Sequence, residues 1–396
     1  MTLTLLLDLD DTLLDTNMDA FVPAYFQALA KHLKGHVQPE SMLPALMSGT
    51  QLMLASDDPA HTLQEVFEAD FYPKLGIPKE QLGDVIEQFY DEVFPTIGRV
   101  TKKREGAAEL VDWAFAQGYR VAVATDLLFP RKATLHRIRW AGLEPERFDL
   151  VSSFETFHFS KSHPAYFAEV LGRLGWPDSP VLMVGNDVER DLVPAQRLGL
   201  ATYQIDGVPA SRFGPEAARR GNLVDLRLWL ESADLALLEP SFKTTDAILA
   251  VLASTPGVLA GLSSGLCETA WSYEPKPDDW AMIEILCHLR DTEREIHGMQ
   301  VKTLLEEVSP FIPRPDAAVW AKQRHYLNEN AHLALHEFTT SRISILSKLK
   351  GLGEDIWSRT ARHAIFGPSN FREVVGFIAD HDRLHIQQAW NTIKTL

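Results

Sequence analysis

The sequence predicts a chain in two parts, an α/β domain on a parallel sheet interrupted by a helical insertion, followed by an all-α four-helix bundle. Three observations carry this. The apolar run Thr2–Leu7 ends in Asp8, Asp10 and Asp11, as a central strand buried on both faces would end at a crevice. About ninety residues of helical pattern separate it from the next apolar run, Tyr119–Asp126. After Pro240 come four long amphipathic stretches with no convincing strand between them. At 396 residues the chain exceeds one ordinary core, so two or three domains are expected.

In chain order, Asp8 and Asp10 lie two apart on an extended backbone, so both carboxylates face the crevice outside the strand ends. Two like charges held that close call for a cation, and a hard divalent ion such as Mg2+ with oxygen ligands meets the need. Helices are expected over Met18–Leu33, Pro39–Ala55, Ala60–Phe71 and Pro78–Phe94, with prolines near their starts and ends. Residues 15–98 hold thirteen Asp or Glu against four Lys and no Arg, a composition poorly suited to clamping polyanions. A helix from Gly106 to Gly118 then leads into the strand Tyr119–Asp126, with Thr125 at its end. Phe148–Ser153 reads as another strand. Lys161 and Pro164 open a helix running to about Leu174, whose dipole adds to the lysine's charge. Val181–Gly185 is a strand and a glycine turn, followed by Asp187 and Asp191 on one face of a starting helix. Gly199–Ile205 is the last long strand, and Leu223–Leu238 a helix before the boundary at Glu239-Pro240.

The segments Asp8-Leu-Asp10-Asp-Thr12, Thr125, Lys161-Ser-His-Pro164 and Gly185-Asn-Asp187-Val-Glu-Arg-Asp191, in this order, resemble the four motifs of the haloacid dehalogenase-like (HAD) superfamily. The resemblance covers residues 1 to about 230. It implies a Rossmann-like core from residues 1–14 and 99–235, and a C1 cap over 15–98 that closes on the site and selects substrate. It implies Asp8 as the nucleophile that forms an aspartyl-phosphate and Asp10 as acid and base, which points to phosphatase or phosphomutase chemistry. Thr125 and Lys161 would clamp the phosphoryl group, and Mg2+ would sit among Asp8, Asp10, Asp187 and Asp191, the last holding either water or Lys161. Taken singly, Thr125 reads as a strand-end residue and Lys161 as a surface charge; their order and spacing raise them. Two positions depart from the pattern. Asp126 stands where Asn is common and would repel phosphate unless it faces away or meets a cation, and Ser162 stands where Pro is usual.

Beyond a linker at 236–240, helices are expected over Phe242–Leu262, Asp278–Val308, Val319–Lys350 and Asn370–Thr395. On the last, Val374, Ile378, His381, His385 and Gln388 form an inward seam. Two imidazoles one turn apart can share a metal, completed by a ligand from a facing helix. The run Trp280 to His288-Leu-Arg-Asp291, with Gly367 and His381-Asp-Arg-Leu-His385, resembles the DinB/YfiT-like four-helix bundle family over residues 241–396. That resemblance implies a divalent ion, Zn2+ or Ni2+, on His288, His381 and His385. A metal-free role for these histidines in the core stays open. His325, His332 and His336 read as surface or packing residues, and His363 as a support behind the ligands.

A net charge of -16 disfavours nucleic-acid and anionic-membrane partners. The two cysteines, Cys267 and Cys287, imply no disulfide framework and a reducing cytoplasm. The amino terminus has no basic n-region, and the apolar stretch Ala247–Leu262 carries Ser254, Thr255 and Pro256, against a membrane span. The expectation is a cytoplasmic Mg2+-dependent phosphatase of a small phosphorylated metabolite, fused to a divalent-metal-binding bundle. The alternatives are a metal-dependent thiol S-transferase centred on the bundle, or a bundle used for ligand binding or homodimerisation.

Overall fold

The computed structural model describes residues 2–206, 219–277 and 279–396. Thr4–Leu7 is wholly buried at the middle of a six-stranded parallel sheet. The order across it is Leu150–Val151, Arg120–Val123, Thr4–Leu7, Val181–Gly185, Ala201–Ile205, Arg219–Gly221. Leu7 lies between Val123 and Val184 in register, so Asp8 follows at the carboxyl edge of the sheet, with Thr125 two residues past Val123 and Gly185 ending the third strand. The chain leaves the first strand to one side and later returns to the other, which makes this edge a topological switch point where a crevice opens. Leu5, Leu7, Val121, Val123, Leu182 and Val184 join one apolar core. Two elements are shorter than expected: the run Phe148–Ser153 keeps only Leu150–Val151 as strand, and Leu223–Leu238 divides into a helix, Leu223–Leu230, and a 3-10 turn, Leu235–Leu238.

The insertion leaves and re-enters the core through an antiparallel ribbon, Leu14–Asp15 against Lys102–Lys103. Its helices are Met18–His32, Pro39–Ala55, Leu63–Leu75 and Lys79–Gln88. The third starts three residues later than expected because Thr62 and Glu65 form a capping box there, and it stops at Gly76 with φ 66. The fourth does not run on to Phe94 as an α-helix; a π turn, Phe89–Val93, and a 3-10 turn, Phe94–Val100, replace its end. Phe21, Tyr25, Phe89, Phe94 and Phe129 form the insertion's aromatic core.

The chain divides into two compact units at Pro240 and Ser241, with Ala168–Pro177 grouping with the second. The second unit has four long helical segments: Thr245–Ser263; Met282–Thr292, continued by a π turn Glu293–His297 into Gly298–Glu306; Ala331–Leu349; and Phe371–Lys394. The first and second each pack on the third and fourth. Among the described residues, Thr245–Ser263 is long and apolar enough to cross a membrane, and most of it is buried in the bundle.

Two expectations need correction. The third helix does not begin at Val319. Left-handed backbone at His325 interrupts it, and Asn330 caps a new start by accepting from Leu333 N at 2.9 Å. The unit is also not free of strands, since Phe311–Ile312, Thr360–His363 and Gly367–Asn370 form a small sheet. Strands of two to four residues are too short to show alternation. The expected helix start at Asp278 lies outside the described residues; the helix begins at Met282, where Glu284 bonds back to Ala281 N at 3.0 Å.

Candidate functional sites

At the switch point a cavity of about 110 Å³ is lined by Asp8, Asp10, Asp126, Arg137, Asp187 and Asp191, among others. Lys161, 1 % exposed, reaches Asp8 Oδ1 at 2.5 Å and Asp191 Oδ1 at 2.6 Å. Burial alone would lower this ammonium, but the Asp191 and Asp8 carboxylates outweigh it and hold the lysine charged. Burial raises Asp8, with Lys161 opposing. It raises Asp191 to about 7 against the same lysine. Thr125, two residues past the end of its strand, has Oγ1 buried and without a hydrogen-bond partner among the described residues, a polar atom whose burial costs free energy until something accepts or donates.

The structure separates the four carboxylates expected around Mg2+. Asp191 spends Oδ1 on Lys161 and Oδ2 on Asp187 N, at 2.9 Å. It is therefore a holder of Lys161, not a ligand. Asp10 lines the cavity with both oxygens engaged: Oδ1 accepts from Thr16 Oγ1 at 2.5 Å and Oδ2 meets the Arg137 guanidinium. Asp187 caps the π turn Val188–Leu192 by accepting from Glu189 N and Arg190 N at 2.9 and 3.1 Å. Asp126, the suspected repulsive group, meets a cation, Arg190 Nη1 at 2.8 Å. Ser162 lies 3.0 Å from Ser160 Oγ, and Pro164 begins the helix Pro164–Arg173 as its spacing implied.

In the second unit His381 Nε2 lies 3.1 Å from His288 Nε2 and 3.2 Å from His385 Nε2. These are the one group of three or more His, Cys, Asp or Glu side chains among the described residues whose ligand atoms lie within 4.8 Å of one another. A neutral imidazole has a single N–H, which cannot serve two nitrogen neighbours at once, whereas a cation accepts all three lone pairs. The donor set therefore fits a divalent metal of borderline softness. Burial, then the neighbouring histidines, pushes His288 down to about 3 and His381 well below its ordinary value; burial takes His385 to about 4. All three imidazoles are neutral at pH 7. A cavity of about 610 Å³ faces them, with Trp280, His297, Arg314, His363 and Phe377 in its lining.

Beneath the histidines lies a buried ion network that the sequence reading missed. Arg342 bonds Glu293 through Nε at 2.5 Å and Nη2 at 3.0 Å, reaches both oxygens of Asp382, and donates to Leu252 O at 2.9 Å. Thr255 Oγ1 donates to Asp382 at 2.8 Å, and His297 Nδ1 lies 3.0 Å from Glu293. Against burial, Arg342 and His297 hold the Glu293 carboxyl at about 2. One signal was available: Phe338, Arg342, Ile345 and Leu349 share a buried stripe at helical spacing, so a charged residue sat on an apolar face. His325, His332 and His336 are exposed, and His363 Nδ1 accepts from Ile365 N and Phe366 N at 3.3 Å, shaping a turn.

Residues 2–199 match the family of haloacid dehalogenase-like hydrolases. The chain belongs to that family. This haloacid dehalogenase-like hydrolase carries a second match, to the DinB superfamily, over residues 252–389. It is 24 % identical over 227 residues to pyrophosphatase PpaX of Bacillus cereus, covering 56 % of this chain and 91 % of that one. Its fold is similar to that of a HAD phosphatase from Thermococcus onnurineus, at 17 % identity and TM-score 0.38 over 58 % of this chain and 98 % of that one. A further similarity is to YfiT from Bacillus subtilis, a four-helix bundle, at 17 % identity and TM-score 0.36 over 39 % and 88 % of the two chains.

The neutral histidines give the hydrolase's second unit a pH dependence with a definite sign. Unfolded, each would take a proton near 6.5; folded, His385 and His288 do so only near 4 and 3. These histidines then bind more protons in the unfolded chain below about pH 6.5, so their contribution to stability is constant above that value and falls as pH drops toward 4. Melting of chelator-treated protein at pH 7.5, 6.0 and 5.0 should show a Tm that declines over both steps, more over the second; a flat profile would contradict the burial of neutral imidazoles.

Proposed function

We propose that the first unit is a Mg2+-dependent phosphatase of a small phosphomonoester, acting through an aspartyl-phosphate on Asp8. The observation that carries the reading is the buried triplet Asp8–Lys161–Asp191 at the switch point of the sheet. It fixes one Asp8 oxygen on a permanent cation and leaves the carboxylate at the cavity wall. In the first step an Asp8 oxygen forms a bond to phosphorus as the bond to the leaving oxygen breaks, and Asp10 delivers its proton to that oxygen. In the second, Asp10 takes a proton from the water that displaces Asp8. Lys161 and the Thr125 hydroxyl receive the phosphoryl oxygens. Asp8 and Asp187, both on the cavity wall, would hold Mg2+, which supplies charge neutralisation of the phosphoryl group. The pyrophosphatase name of the PpaX relative supports phosphorus chemistry. A screen of phosphomonoesters with Mg2+, and with the ion chelated, tests the reading: Mg2+-dependent phosphate release is expected, and release that survives Asp8→Asn would overturn it.

The same proposal places Zn2+ or Ni2+ on His288, His381 and His385. His381→Ala should weaken metal binding by more than the roughly 10–100-fold that loss of a ligand's hydrogen-bond partner costs, as read by equilibrium dialysis with Zn2+. A second reading, that the bundle is itself a thiol S-transferase, is favoured by the 610 Å³ cavity facing the imidazoles. It predicts thiol-dependent consumption of an electrophile that His381→Ala abolishes. We place the chain in the cytoplasm on its two free cysteines, with a phosphorylated metabolite as partner and neither nucleic acid nor membrane. A dimer through the bundle would show in size-exclusion chromatography.

A further inference from the structure

Each of the three cations at or beside the small cavity has its own carboxylate. Lys161 holds Asp8 and Asp191, Arg190 holds Asp126, and Arg137 holds Asp10. The sequence pattern around the four motifs does not include Arg137. It lies on the inward face of the helix Arg131–Trp140, with Ala133, Thr134 and Ile138. Its side chain is 1 % exposed, and its guanidinium carbon sits 5.2 Å from the Phe129 ring centroid and 6.0 Å from that of Phe21. Its Nε has no hydrogen-bond partner among the described residues. A guanidinium packed in this way at the cavity wall has little room to swing, so it keeps its hold on Asp10 Oδ2. The other partner of Asp10, the Thr16 hydroxyl on Oδ1, turns about a single bond and can release it.

We propose that Arg137 is a positioning residue that occupies Asp10 Oδ2 and so makes Oδ1 the oxygen that carries the proton to and from the substrate. The inference rests on the phosphatase reading of Asp8 and Asp10. A carboxylate has two nearly equivalent oxygens, and proton delivery to a leaving group needs one of them aimed and unencumbered. As the P–O bond breaks, the proton moves from Oδ1 to the departing oxygen. As water later attacks the aspartyl-phosphate, the same atom recovers a proton from it. Throughout, Arg137 stays on Oδ2.

The test compares an alkyl phosphomonoester, whose leaving oxygen needs a proton, with p-nitrophenyl phosphate, whose first step does not. Arg137→Met keeps the volume and removes the donor. It should lower kcat on the alkyl ester by about 100-fold, within the range of acid catalysis, with KM changed less than about 3-fold. Single-turnover release of p-nitrophenolate should change less than about 5-fold, since that step bypasses the acid. Arg137→Lys keeps the charge but not the planar fork; it should lose about 10-fold on the alkyl ester alone, and it carries the test if the methionine variant does not fold. Equal losses on both esters with a raised KM would mean that Arg137 binds the substrate, and no loss on either would mean that it is structural; both overturn the proposal. If Asp10→Asn shows no leaving-group dependence while wild type is active, the acid role of Asp10 fails and takes Arg137's with it, leaving Asp8 untouched. If wild type cleaves neither ester, the phosphatase reading itself has failed.

Discussion

Asp8→Asn is expected to lower phosphate release by on the order of 10⁴-fold or more, the scale on which loss of a member of a catalytic unit is felt, while the protein stays folded. The amide is nearly the size of the carboxylate but does not form the acyl phosphate bond. The fold survives because Lys161 does not become an orphan charge: Asp191 remains 2.6 Å away, itself anchored on Asp187 N. Burial already opposes the Asp8 charge, so neutralising it removes a desolvated anion along with its attraction to the lysine, and these largely offset each other. The measurement is kcat on the best ester from the screen, beside a melting curve. Activity above about a hundredth of wild type with an unchanged Tm would refute covalent catalysis at Asp8.

Arg342→Met carries the largest expected effect on stability. The side chain is fully buried and spans Glu293 on one helix and Asp382 on another. Removing it leaves two carboxylates inside the bundle with, among the described residues, Thr255 and His297 as side-chain partners, a loss of about 3–5 kcal/mol by comparison with other broken buried pairs. Urea denaturation followed by a probe in the second unit should show it as a lower midpoint at similar slope. Adding Glu293→Gln and Asp382→Asn to Arg342→Met should recover much of the loss, because the cost is chiefly that of uncompensated charge. If the triple variant is no more stable than the single one, packing around Arg342 rather than charge accounts for the effect.

The core sheet was readable because its central strands are apolar runs ending in acids or glycine, and that pattern survives without tertiary information. The same holds for His288, His381 and His385, which the structure brings together from two helices. The acidic site was harder. Counting four residues along a helix put Asp187 and Asp191 on one face, but Asp187 is a cap and Val188–Leu192 is a π turn, so Asp191 swings back toward Asp187 N and Lys161. Arg137 and Arg342 could not be found by motif, since what distinguishes them is burial of a charge, and sequence shows this only when a cation lands on an apolar stripe. The strands Thr360–His363 and Gly367–Asn370 escaped for another reason: they are held by pairing to each other and to Phe311–Ile312, not by an alternating pattern of their own.

The convergence of three imidazole nitrogens on one point, in a chain that also has a cavity walled by carboxylates, bears on which ions the two proposed sites would take. Oxygen donors favour abundant hard ions and bind them loosely; nitrogen donors favour scarce transition ions and follow the Irving–Williams series. On the proposed assignment, a cell short of transition ions but replete in magnesium would leave one half of this chain loaded and the other bare. The same assignment would tie the two halves of one polypeptide to separate ion supplies.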